Sequence, residues 1–158
     1  MPALVTRVFG CGQGRKGTTV WTAPDDATIA QILRDTKTIA IVGVSANPDR
    51  PSHGVYRYLA EHSPYRIFLV NPTISELDGK TVYPSLDALP ETPDVVDVFR
   101  RPEELAGIAQ EAIDIGARTL WFQLDLVDLD AANKATEAGL QVVMDRCTEI
   151  EFARLGPH

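Results

Sequence analysis

Cysteine is scarce in this chain: Cys11 and Cys147 are the only two among 158 residues. Two thiols so far apart make neither a metal-binding spacing nor a disulfide framework, and a reduced pair in a cytoplasmic protein is the expectation. Long apolar runs are missing too. No stretch approaches the roughly 18 residues of a membrane span, and the first residues lack the continuous apolar core of a secretory signal. Positive charge is in short supply: 15 Lys and Arg stand against 22 Asp and Glu, a net charge of -7. The imbalance is uneven. Residues 1–23 hold Arg7, Arg15 and Lys16 and no acid, so the remainder carries -10. A body that acidic offers no clustered positive surface to nucleic acid or to an anionic membrane.

Apolar residues are not lacking. They make up 44% of the chain, enough for the core of one domain. From residue 26 their pattern is regular. Ala27 to Arg34 reads as a helix with Ile29, Ile32 and Leu33 on one face and Asp25 or Asp26 as its cap. TIAIVGV, 38–44, is a β-branched run suited to a strand buried on both faces. A helix through about His62 follows the loop NPDRPSHG, and RIFLVN, 66–71, is a second strand. A long loop leads to DVVDVF, 94–99. A helix over 102–115, the strand TLWFQL at 119–124, a helix over 131–138 stopped by Gly139, the strand LQVVMD at 140–145 and a short helix near 149–155 complete the series. Five strands alternating with helices predict an α/β fold: a five-stranded parallel sheet with helices on both faces. Residues 1–25 stand apart as a mobile N-terminal extension, in which ALVTRVF could add an edge strand; residues 26–158 form the domain.

The extension carries the pattern G-x-G-x-x-G at Gly12, Gly14 and Gly17. Such glycines cradle a phosphate only between a strand and a helix. Here TTVWTAP follows, which is β-branched and ends in Pro, so the context is wrong. As a phosphate loop of the G-K-[ST] type it also fails, since Lys16 precedes Gly17 rather than following it.

The turn with the right context is GVSANPDRPSHG, 43–54, between a buried strand and a helix. Gly43, without a Cβ, lets a ligand or backbone come close. Ser45, Asn47 and Ser52 offer neutral donors, and Arg50 offers a guanidinium fork matched to phosphate. Pro51 and Ser52 suit the first turn of a helix whose free N–H groups favour anions. The second strand ends Val70-Asn71-Pro72, where a protein binding NAD usually has an acid for the ribose hydroxyls. A neutral Asn there suits a nucleotide with an additional ribose phosphate.

Five segments in order carry a family likeness: TIAIVGVSANPDRPSHGVYRYL, FLVNPTISELDGKTVYPSLDALP, DVVDVFRRPEEL, GARTLWFQL and AGLQVVMDRCTEIE. From about residue 26 onward the chain resembles the stand-alone CoA-binding domain proteins, which are similar to the CoA-binding domain of the succinyl-CoA synthetase alpha subunit. The resemblance implies a Rossmann-like fold with coenzyme A across the strand ends. It implies that Gly43, Val44, Ser45 and Ala46 line the pyrophosphate turn and that Arg50 and Ser52 help hold phosphate. It puts Asn71 and Pro72 at the adenosine end, and Phe99 and Arg100 beside the cofactor arm. Trp121 and Gln123 match the family's W-x-Q, whereas Asp125 stands where relatives usually have Gly.

No catalytic residue is expected. The phosphohistidine domain of a CoA ligase is beyond a chain of this length, and no motif gives His53, His62 or His158 a carboxylate partner. Asp125, Asp128 and Asp130 lack the Gly and distal Glu of a calcium loop, which makes capping and solvation their expected work, with no metal. Cys147 lies near the strand ends, either buried as a small apolar group or within reach of a ligand thiol. The sequence thus reads as a binding or regulatory module for CoA or an acyl-CoA, with a protein partner or a second copy left open. A CoA-ligase half needing a partner subunit and a dinucleotide-binding redox sensor are the alternatives.

Overall fold

The computed structural model describes residues 20–157, so the glycine pattern at 12–17, Cys11, His158 and the ALVTRVF segment lie outside the described residues. Helix α1 spans Asp26–Asp35 and starts at Asp25, whose carboxylate accepts the Thr28 N–H at 2.8 Å. That hydrogen bond holds the Asp25 carboxyl below its usual range. Strand β1, Thr38–Val42, is buried at every position. Helix α2 runs Pro51–His62 with Pro at its first turn, and β2 spans Arg66–Val70. Two short strands follow, β3 at Glu76–Leu77 and β4 at Lys80–Tyr83. Strand β5 is Val95–Val98. A 3-10 turn at Pro102–Glu104 leads into α3, Leu105–Ile115, and then β6, Thr119–Phe122. Helix α4, Leu129–Glu137, is capped by the Asp128 carboxylate on the Ala131 N–H. Strand β7, Gln141–Val143, and helix α5, Thr148–Leu155, end the fold.

Among the described residues the sheet has seven strands in the order β3-β4-β2-β1-β5-β6-β7, not the five expected. The five anticipated strands pair in parallel, as does β4 with β2. The addition is the β3–β4 hairpin, the one antiparallel pair, with Leu77 opposite Lys80 across Asp78-Gly79. Both turn residues have positive φ, 53° and 76°. Asp-Gly is the sequence signature of this two-residue turn, because its strand twist needs left-handed backbone at both positions. The signal was present in LDGK, but strands of two and four residues are too short to show a period.

Alternation sorts the side chains onto two faces. Ala40, Val42, Val96, Val98, Leu120 and Phe122 pack with α3 and α4 in one layer. Ile39, Val95 and Trp121 pack beneath α1, α2 and α5 in the other. A fully buried residue such as Leu120 stabilises the fold by roughly 1.5–3 kcal/mol through burial alone. The edge at β7 is covered from the N-terminal side. The Trp21 indole N–H donates to the Val142 carbonyl at 2.7 Å, and its backbone N–H donates to Asn133 Oδ1 at 2.6 Å. Among the described residues, no helix is long and apolar enough to cross a membrane.

Strand order fixes where a ligand can sit. From β1 the chain moves to β2 on one side, then returns to β5 on the other. The loops leaving β1 and β5 therefore diverge, and the crevice between them is where such sheets bind ligands.

Candidate functional site

A cavity of about 440 Å³ lies at this crevice, across the carboxyl ends of β1, β5 and β6 and the loop after β7. Gly43, Ser45, Arg50 and Ser52 form one end, Phe99 the middle, and Gln123, Leu124, Asp125 and Cys147 the other. Its size is that of a small-molecule site.

The first end is built by tying the loop after β1 to α2. The Ser45 N–H donates to Ser52 Oγ at 3.0 Å, and the Ser45 carbonyl is 2.9 Å from His53 Nδ1. Both α2 residues are buried. His53, expected as a loop polar group, thus sits in the helix and positions the loop. Asn71 pins the same loop from the second strand, its Nδ2 donating to the Val44 carbonyl at 2.7 Å. The remaining Asn71 oxygen accepts from the backbone and hydroxyl of Thr73. Arg50 is exposed at the start of α2, and among the described residues its guanidinium has no ion pair or hydrogen bond. Arg100 differs: Nε and Nη2 both donate to Glu104 Oε1, at 3.0 and 2.6 Å. Those bonds, foremost, hold the Glu104 carboxyl below its usual range.

Gly43 has φ of 90°, and a Cβ there would lie 2.4 Å from the Phe99 carbonyl oxygen and 2.7 Å from Arg100 Cδ. The missing side chain makes room for the chain's own β5 loop.

The other end rests on a buried polar group that the sequence reading did not single out. Asp97, fully buried on β5, accepts from Gln123 Nε2 at 2.6 Å and from Thr148 Oγ1 at 2.8 Å. Gln123 Nε2 also reaches Thr148 Oγ1 at 3.0 Å. Desolvation pushes the Asp97 carboxyl up to about 7 against the pull of these two hydrogen bonds. The signal was the acid interrupting the apolar run DVVDVF; what it meets could not be read there. Gln123 is only 5% exposed yet lines the cavity, and among the described residues nothing donates to its Oε1. Asp125 has φ of 67°, and its N–H donates to Asp145 Oδ1 at 2.7 Å. The left-handed backbone accounts for Gly being usual at this position in the family that the sequence resembles.

Of the residues expected to bind a cofactor, Gly43, Ser45, Arg50, Ser52, Phe99 and Gln123 meet in the cavity. The others lie off its lining. Val44 and Trp121 are fully buried, with the Trp121 indole N–H donating to the Arg146 carbonyl at 2.8 Å. Ala46 and Pro72 are exposed, and Asn71 and Arg100 are held as described. Pro51, Val55, Leu126 and Cys147 join the lining. Among the described residues, no group of three or more His, Cys, Asp or Glu could hold a metal ion.

Fold and crevice together define a doubly wound α/β domain with a cavity at the switch point of its sheet. Comparison with known proteins names the family. Residues 37–153 match the CoA binding domain family, and the chain belongs to it. It is 40% identical over 130 residues to the uncharacterized protein YneT of Bacillus subtilis (strain 168), covering 82% of this chain and 96% of that one. A hypothetical protein of Pyrococcus horikoshii OT3 superposes with a TM-score of 0.80 at 39% identity, covering 84% and 92% of the two chains. A Thermus thermophilus structure does so at 0.78 and 36%, covering 84% and 99%.

Proposed function

We propose that this chain is a small coenzyme A-binding module that carries no catalytic machinery of its own. The observation that carries the reading is the cavity's construction. A guanidinium without a partner among the described residues, Arg50, stands at a helix N-terminus at one end, and apolar side chains line the way to the other. Phosphates would lie against Arg50 and the N-terminal turn of α2, where charge and helix dipole both favour an anion. The pantetheine arm would run past Val55, Phe99 and Leu126. When bound, CoA supplies a thiol; the protein's residues bind and orient it. Asp125 at the cavity edge would disfavour an acidic acyl group.

Thermal unfolding with CoA, dephospho-CoA and NAD tests this. A ligand at 100 times its dissociation constant adds about 2.7 kcal/mol of stability. CoA is expected to raise Tm most, dephospho-CoA less and NAD least. An equal shift with NAD would overturn the assignment.

A further inference from the structure

The end of the cavity at β6 and α5 has two features that phosphate binding does not use. One is the open acceptor of Gln123, a side chain 95% buried that nevertheless lines the cavity. Its amide is fixed: Nε2 is committed to Asp97 and Thr148, which turns Oε1 away from both. Such an oxygen is matched by a ligand N–H or S–H, and leaving it unmatched in a dry complex costs binding energy. The other is Cys147, half-buried, lining the same cavity, one residue before the Thr148 that Gln123 touches. Amide N–H groups and a thiol are the donors that the arm of CoA carries at the end remote from its phosphates.

We propose that this end of the cavity seats the thiol terminus of CoA between Gln123 and Cys147, and that Cys147 is a site of mixed-disulfide formation with CoA delivered as its disulfide. The inference rests on the reading of the cavity as a CoA site. In the exchange, the Cys147 thiolate attacks one sulfur of CoA disulfide. The S–S bond of the reagent breaks, a Cys147–CoA disulfide forms, and the second CoA leaves as a thiolate that takes up the proton Cys147 lost. No other oxidant is needed.

Selectivity follows from the surroundings of the thiol. Burial foremost, and the carboxylates of Asp97 and Glu149, push the Cys147 thiol up, against the N–H groups of Ile150 and Glu149 at the start of α5. A thiol held in that state exchanges slowly with disulfides arriving from solution. A disulfide already bound in the cavity presents its sulfur at a high effective concentration, which offsets that penalty.

The test uses the full chain, reduced, with CoA disulfide or glutathione disulfide at equal concentration, read by intact mass and peptide mapping. The expected result is one CoA adduct on Cys147, forming at least about tenfold faster than the glutathione adduct. Desulfo-CoA, which has no sulfur to exchange, should slow it by competition. Cys147→Ser should abolish the adduct, and Gln123→Leu should slow the CoA reaction more than the glutathione reaction. Equal rates for the two reagents, or an adduct confined to Cys11, would overturn the proposal. Calorimetry with desulfo-CoA separates the two failures. Binding without selective labelling of Cys147 rejects only the thiol placement. Absence of binding rejects the CoA site itself.

Discussion

Asp97 is a carboxyl taken wholly out of water. Its carboxyl is fully buried on a central strand, and desolvation pushes it to about 7 from an ordinary 3.8. Between roughly pH 4 and pH 7 the folded protein therefore holds a proton that the unfolded chain has released. That contribution to stability is complete at low pH and is lost as pH rises through this window, with a slope of at most about 1.4 kcal/mol per unit. Asp97→Asn removes the titration. Its stability relative to the parent should climb from pH 4 to pH 7 and level off above, as read by denaturant unfolding; a flat difference would mean that the carboxyl titrates normally. Gly43 makes a second point at this scale. The space beside it belongs to the Phe99 carbonyl rather than to a ligand, and its φ of 90° is one that L side chains rarely adopt. Gly43→Val should lower stability by roughly 2–4 kcal/mol even without ligand. Parental stability paired with lost CoA binding would reassign that space to the ligand.

Helix α2 is the element that brings the first half of the site together. Pro51 opens it with a fixed φ and no N–H to satisfy, which was legible in the sequence. Its next two residues turn inward, and the Ser52 hydroxyl and His53 imidazole hold the backbone of Ser45. Ser52 was read from sequence as a first-turn residue, whereas His53 was read as a loop group because helical periodicity became visible only at Val55. Arg50 immediately precedes the helix and is exposed. Arg50→Ala is expected to weaken CoA by about 1.5–3 kcal/mol in calorimetry, the scale of a charged hydrogen bond, with little change in Tm without ligand. Undiminished affinity would move the phosphates away from α2. The neighbouring candidate, Arg100, is occupied by Glu104, an i,i+4 partner one turn on.

For the molecule as a whole, the open question in the sequence was where the N-terminal segment ends and the domain begins. The boundary expected at residue 25 divides chemistry that the fold keeps together. Trp21 packs beside the layer under α3 and α4 and satisfies a carbonyl on the outermost strand of the sheet. Uncovered strand edges are a route to aggregation, and an indole across β7 blocks one. Trp21→Ala should cost roughly 1–3 kcal/mol, the lost contact plus an unmet carbonyl, measured by denaturant unfolding. A cost within about 0.5 kcal/mol, as for an ordinary surface change, would show that the indole contact carries no weight.

What the sequence determined by itself is what neighbouring residues decide among themselves. The β-branched runs at 38–44 and 66–71, a cap at Asp25 or Asp26, the start at Pro51 and the stop at Gly139 depend on local backbone chemistry and on one repeating period. They placed each described α-helix and the five main strands, and their order carried the family likeness. Only the tertiary structure decided that Asp97, Gln123 and Thr148 meet. They lie on three separate segments, and contact between them requires β5 beside β6 in one register and α5 folded over both. The same holds for Trp121, which the W-x-Q pattern makes a cofactor-binding candidate, half core and half pocket wall, while the sheet turns its ring wholly into the layer beneath α1, α2 and α5. Alternation along a strand says which residues share a face; which neighbour that face receives is set by strand order, and strand order is not a local property.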